Sequence, residues 1–96
     1  MDAETAVPQI DPSAAIALIE RGALLIDVRE DDEWQAGHAP AALHIPLGEL
    51  GDRIGEVDAA RTLLIICRSG RRSDQAAAAL RRAGYDAANL SGGMQA

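Results

Sequence analysis

Two stretches of the chain are apolar at nearly every position: residues 23–28, interrupted only by Asp27, and residues 62–66, Thr62-Leu63-Leu64-Ile65-Ile66. A strand covered by helices on both faces has no polar face, so such runs predict strands of a parallel sheet. Before the first run, residues 7–10 can form a short strand. Asp11 then reads as an N-cap with Pro12 at the first helical position, opening a helix over residues 13–21 that Gly22 ends. Residues 30–36 predict a short acidic helical turn closed by Gly37, residues 42–45 a brief strand stopped by Pro46, and residues 47–54 a weak helix. The run at 62–66 is the most apolar and predicts the central strand. Beyond it, the Ala-rich residues 72–83 predict a helix capped by Gly84, and residues 86–90 a last strand before Ser91-Gly92-Gly93. Strand and helix alternate throughout, which implies an α/β layered fold with a mostly parallel sheet. There are no repeats, linkers or low-complexity tails.

With 96 residues there is room for one domain and one core, burying about two-thirds of the surface of the unfolded chain. The core must be built from Leu, Ile, Val and many Ala, because the chain has no Phe, one Trp and one Tyr. Alanine-rich helices can lie close to a sheet. The net charge of −6 argues against any general attraction to nucleic acid or anionic lipid, whose surfaces are also negative. Its distribution says more. Residues 1–66 carry thirteen acidic residues and four Arg, whereas residues 67–96 carry five Arg and two Asp. Positive charge therefore gathers directly after the only cysteine. A single cysteine forms no intrachain disulfide. Met1-Asp2-Ala3-Glu4-Thr5 lacks the features of a secretory signal and no apolar run reaches membrane-spanning length, so a cytoplasmic protein is expected.

The cysteine stands at the end of the predicted central strand, in Cys67-Arg68-Ser69-Gly70-Arg71-Arg72-Ser73. In open parallel sheets ligands bind beyond the carboxyl ends of strands. A loop that curls there into a helix turns several N–H groups inward, and with the helix end these form a cradle for a small anion. The same groups, together with nearby guanidinium charges, favour a thiolate over a thiol. Gly70 lets the loop turn, and Ser69 and Ser73 add hydroxyl donors. An ordinary buried cysteine closing an apolar strand would be the simpler reading, but three Arg, a Gly and two Ser in the next six residues are a poor continuation of a core strand.

At these residues the chain resembles the rhodanese family, whose active-site loop is a Cys, a few variable residues with a Gly, then Arg-Ser or similar opening a helix. Asp27-Val28-Arg29-Glu30 followed by Glu33, Gly37-His38-Ala39-Pro40-Ala41-Ala42 leading to Ile45-Pro46, and Ser91-Gly92-Gly93-Met94 resemble the family's other signatures in order and spacing. The resemblance runs from about residue 7 to the end. It implies a sheet of five mainly parallel strands with helices on both sides, and a cysteine cycling between thiol and persulfide. A donor such as thiosulfate would give its outer sulfur to Cys67, and cyanide or a thiol, or a protein acceptor, would collect it. By the resemblance Cys67 is the nucleophile, the backbone of residues 68–73 cradles the persulfide, and Arg72 with Arg68 or Arg71 holds the donor's oxygens. No cofactor and no metal are implied, and a monomer or weak dimer is expected. Ala39 and Ala41 stand where Ile and Gly are usual. Relatives continue through an aromatic residue and a final helix where this chain stops at Gln95-Ala96, which leads to the expectation of a trimmed or missing last helix.

Two rival functions remain at this point: a non-enzymatic persulfide carrier or regulatory domain, and a cysteine phosphatase. Phosphatase loops place five residues between Cys and Arg, whereas Cys67 and Arg72 enclose four. Asp27, Arg29 and Glu33 are read as a structural ion-pair network in preference to a charged catalytic group, with a place lining the pocket left open for Asp27. His38 is read as stabilising a turn, His44 as facing solvent or bonding backbone, and Trp34 as a cap on the core. Two separated His and one Cys lack metal-ligand spacing.

Overall fold

The structure is a computed structural model describing residues 7–93; the first six residues, Met94 and the end at Gln95-Ala96 lie outside the described residues. Five strands form one parallel sheet in the order β1-β5-β4-β2-β3: β1 Gln9–Ile10, β2 Leu24–Asp27, β3 Leu43–His44, β4 Leu63–Ile66 and β5 Ala87–Leu90. As the apolar run at 62–66 predicts, β4 is central, paired with β2 on one edge and β5 on the other.

Among the described residues four α-helices accompany the sheet: α1 Pro12–Glu20, α2 Asp31–Gln35, α3 Leu50–Arg53 and α4 Arg71–Arg82. Asp11 caps α1 as expected, its carboxylate accepting the Ala14 N–H at 2.8 Å with Pro12 in the first turn. The predicted first strand contracts to two residues. Pro8 has no N–H to donate, although its carbonyl still accepts the Asn89 N–H at 2.9 Å. The weak helix expected at 47–54 is broken into 3-10 turns over Leu47–Glu49 and Ile54–Glu56 on either side of α3. Gly48, Gly51 and Gly55 lower its helical propensity, so it follows the surface in single turns.

The period of two along β4 divides the core between the helical layers. Leu63 and Ile65, followed by Cys67, face Ala76, Ala77 and Leu80 of α4, whereas Leu64 and Ile66 face the layer containing Ala15 of α1. Helices therefore cover both faces, and alanine at 76 and 77 lets α4 sit close to the sheet. Ile65 is fully buried between β2 and β5. Ile65→Ala is expected to lower the unfolding free energy by about 2–5 kcal/mol, read as a lower denaturation midpoint.

Candidate active site

The chain leaves β4 after Ile66 and enters α4 at Arg71, so four residues, Cys67 to Gly70, make the turn. Gly70 makes it feasible. It lies at φ +98°, a left-handed conformation that other residues adopt only with strain, and it directs its N–H at the Cys67 sulfur over 3.0 Å. The turn after β5 presses on the same loop from outside. A Cβ at Gly93 would collide with the carbonyl oxygens of Cys67 and Arg68, so Gly93 is a close-approach glycine. The reading of Gly92-Gly93 as a turn closing the sheet near the loop is borne out.

Cys67 is fully buried, although Arg68, Ser69 and Arg71 around it are exposed. Burial pushes its thiol up. The Ser73 hydroxyl and the backbone N–H groups of Ser73, Gly70 and Ser69 oppose that effect and hold the thiol, on balance, below its ordinary range. The Ser73 hydroxyl oxygen lies 3.3 Å from the sulfur and also bonds the side-chain oxygen of Asn89. A hydroxyl has one proton, so these two bonds are alternatives.

The arginines of the loop separate into two kinds. Among the described residues nothing pairs with the side chains of Arg68 or Arg71, which leaves two guanidinium groups at the rim. Arg72, expected to hold donor oxygens, instead grips Glu33 of α2 through two bonds of 2.7 and 2.8 Å. Glu33 thus pairs with Arg72 while also feeling the charge of Arg29, in line with its reading as part of an ion-pair network. The acidic start of α2 sits within reach of α4, and a planar guanidinium fits a carboxylate better than water can. Arg72, followed by the Glu30 N–H, lowers the Glu33 carboxyl from 4.5 to about 2.

Asp27 and Arg29 form their own pair, both buried, with the Arg29 guanidinium 2.8 Å from the carboxylate and 2.7 Å from the Gly37 carbonyl oxygen. Asp27, fully buried and paired, is thus a structural anchor. The turn after α2 is held by stacked rings: Trp34 lies between His38, at 3.5 Å, and His44, at 4.5 Å, nearly parallel to both. His38 donates to the Trp34 carbonyl and His44 to the Arg29 carbonyl, each at 2.8 Å, in line with the turn-stabilising and backbone-bonding readings. Among the described residues no group of three His, Cys, Asp or Glu could hold a metal ion, and no helix is long and apolar enough to cross a membrane.

Beside the loop is an open depression of about 540 Å³ lined by Gln9, Ser69, Gly70, Arg71, Asp74 and Asn89, among others. Asn89 and Gln9 were not singled out from sequence. The available signal was an amide in the middle of Ala87-Ala88-Asn89-Leu90, a strand with buried positions throughout.

The rhodanese-like domain model matches residues 11–96 of the chain. The chain belongs to the rhodanese-like family. It is 35% identical over 92 residues to the thiosulfate sulfurtransferase GlpE of Pseudomonas savastanoi pv. phaseolicola, with 95% of this chain and 87% of that protein covered. It is also 43% identical over 61 residues to YrkF of Bacillus subtilis, named as a sulfur carrier protein, matching 64% of this chain but spanning only 33% of that one. The rhodanese-like domain protein of Staphylococcus aureus superposes with a TM-score of 0.86 at 28% identity, covering 94% of this chain and 90% of that one. The fold expected from the resemblance is the fold observed.

Two outcomes test this geometry. Gly93→Ala is expected to lower the thermal midpoint and to loosen the Cys67 loop, seen as faster amide exchange at Gly70. A group whose carboxyl is lowered in the folded state adds stability above its unfolded value and loses it as the pH falls through the folded value. The Glu33–Arg72 pair therefore stabilises the fold above about pH 4.5 and ceases to do so towards about pH 2. In denaturant titrations at pH 5 and pH 2, Glu33→Gln should be less stable than the parent at pH 5, with the gap closing at pH 2.

Proposed function

We propose that this rhodanese-like chain is a sulfurtransferase that carries sulfane sulfur as a persulfide on Cys67. The observation that carries the reading is a lone sulfur at the floor of a loop, met by the Gly70 N–H at 3.0 Å and reached by the Ser73 hydroxyl. The thiolate attacks the outer sulfur of thiosulfate or of another persulfide donor, a new S–S bond forms, and the old one breaks. Its electron pair leaves with sulfite or with the donor thiolate. In the second step cyanide or an acceptor thiolate takes the outer sulfur, and the Cys67 thiolate is restored. Two displacements through one covalent intermediate predict ping-pong kinetics.

Each loop residue has an assigned part. The N–H groups of Ser69, Gly70 and Ser73 receive negative charge on the sulfur, as preorganised donors do wherever charge develops. Arg68 and Arg71 at the rim attract an anionic donor, and Arg72, tied to Glu33, supplies positive charge near the sulfur and holds α4 against α2. No cofactor or metal is needed for these steps. The similarity to GlpE supports thiosulfate as a donor.

The name of YrkF favours a second reading, a carrier that receives sulfur from one protein and presents it to another. Steady turnover of thiosulfate and cyanide favours the enzyme; negligible turnover with rapid sulfur exchange to a protein thiol favours the carrier. The phosphatase reading gains nothing from the geometry, because Arg72, the residue that would close such a loop, is engaged by Glu33.

After incubation with thiosulfate, intact-mass measurement should show one added sulfur atom, localised to Cys67, and cyanide should release it as thiocyanate. Cys67→Ser should abolish both while leaving the fold intact; sulfur uptake by that variant, or none by the parent protein, would sink the proposal. Arg68→Ala should raise KM for thiosulfate about two- to fivefold with kcat little changed, the magnitude of an exposed charge contact.

A further inference from the structure

Behind the sulfur lies a line of polar side chains that the transfer chemistry does not itself require. Asn89 of β5 and Gln9 of β1 are register partners in the parallel pair, so their side chains emerge side by side. The Gln9 amide nitrogen lies 2.8 Å from an Asp74 carboxylate oxygen and 3.3 Å from the Val7 carbonyl oxygen. The Asn89 amide nitrogen lies 2.8 Å from the Gln9 side-chain oxygen, and the Asn89 oxygen meets the Ser73 hydroxyl. Ser73 in turn faces the Cys67 sulfur at 3.3 Å.

The direction of every bond in this line is set from one end. A carboxylate and a carbonyl can only accept, so the Gln9 group facing them must be its NH2, which turns the Gln9 oxygen towards Asn89. Asn89 must then present its NH2 to Gln9 and its oxygen to Ser73. An amide oxygen can only accept, and the single Ser73 proton is drawn to it. In the resting site Ser73 therefore shows lone pairs, not its proton, to Cys67. When the sulfur becomes anionic, Ser73 can donate to it only by giving up Asn89.

We propose that Asp74, Gln9 and Asn89 form a polarised hydrogen-bond relay that withholds the Ser73 proton from the Cys67 sulfur, making Asn89 a positioning residue that sets how readily that sulfur becomes a thiolate. The burial of both groups supports a dedicated role: Ser73 is fully buried and Asn89 is 4% exposed. An amide placed in an apolar strand is costly unless every polar atom finds a partner, and the relay supplies them. The outer end at Asp74 and Gln9 lines the open depression beside the loop, so the relay links solvent to the sulfur. Arg72 of α4, paired with Glu33 of α2, is the guanidinium that feels the charge of the sulfur. Asp74 stands at the far end of the relay. Substituting Asn89 or Gln9 changes none of these charges.

The proposal rests on Cys67 as the reactive sulfur, but its test does not need sulfur transfer. The rate of Cys67 alkylation by iodoacetamide is followed against pH in the full chain. Asn89→Leu keeps the shape, removes the competing acceptor and frees the Ser73 proton for the sulfur. On the acid side of the profile its alkylation should be about three- to tenfold faster than the parent's, the scale of the net contribution of one ordinary hydrogen bond. The acceleration should vanish when Ser73→Ala is also present. Gln9→Leu, at an exposed position, should act in the same direction by letting the Asn89 amide turn over, and it decides the question if Asn89→Leu does not fold. Unchanged or slower alkylation in the folded variants, or equal acceleration with and without Ser73, overturns the relay. Normal alkylation profiles with no thiosulfate turnover would count against the sulfurtransferase reading alone.

Discussion

An anionic sulfur enclosed by protein has lost the water that would stabilise it, so the protein must supply donors in its place or the sulfur stays protonated. The carboxyl end of this sheet is organised around that requirement. Cys67 is buried, and burial alone pushes its thiol up; the Ser73 hydroxyl and the N–H groups of Ser73, Gly70 and Ser69 together reverse the direction. Those N–H groups point inward only because Gly70 takes a left-handed conformation and because Gly93 lets a second turn lie against the loop without a Cβ in the way. Positive charge enters through Arg72, whose place is decided by Glu33 on a different helix.

These local arrangements are as rigid as the layers beneath them. The strand that delivers Cys67 is hydrogen-bonded along both edges and covered on both faces, so its last side chain has little freedom. Small residues on α4 bring the helix close enough for Ser73 to reach both the sulfur and Asn89. On the other side of the site, the stack of His38, Trp34 and His44 and the buried Asp27–Arg29 pair brace the turn after α2 and the end of β2. Neither touches the sulfur. They act by keeping Glu33 where Arg72 can find it.

Much of this was legible in the chain because it depends on neighbours in sequence. Continuous apolar runs identify β2 and β4, Asp11-Pro12 identifies the start of α1, and Cys67 through Ser73 identifies a loop at a strand end that turns N–H groups towards the sulfur. Where local signals were weak, the expectation missed. The stretch from residue 47 to 54 carries glycines that deny it a regular helix, and Pro8 shortens the edge strand. The Glu33 partner of Arg72 is a tertiary matter that no local signal names. Glu33 lies 39 positions away, and only the tertiary fold brings the first turn of α2 within reach of Arg72.

The sequence by itself determined the layered parallel fold, the central place of residues 63–66 and the cysteine at its end, because periodicity, capping and turn chemistry act over a few residues. Only the tertiary structure decided which arginines face outward, that the sulfur is enclosed, and that Asn89, Gln9 and Asp74 stand in line behind Ser73. Each of these depends on groups far apart in sequence meeting at hydrogen-bond distance. Such meetings follow from strand order, register and helix packing, which no window of neighbouring residues contains.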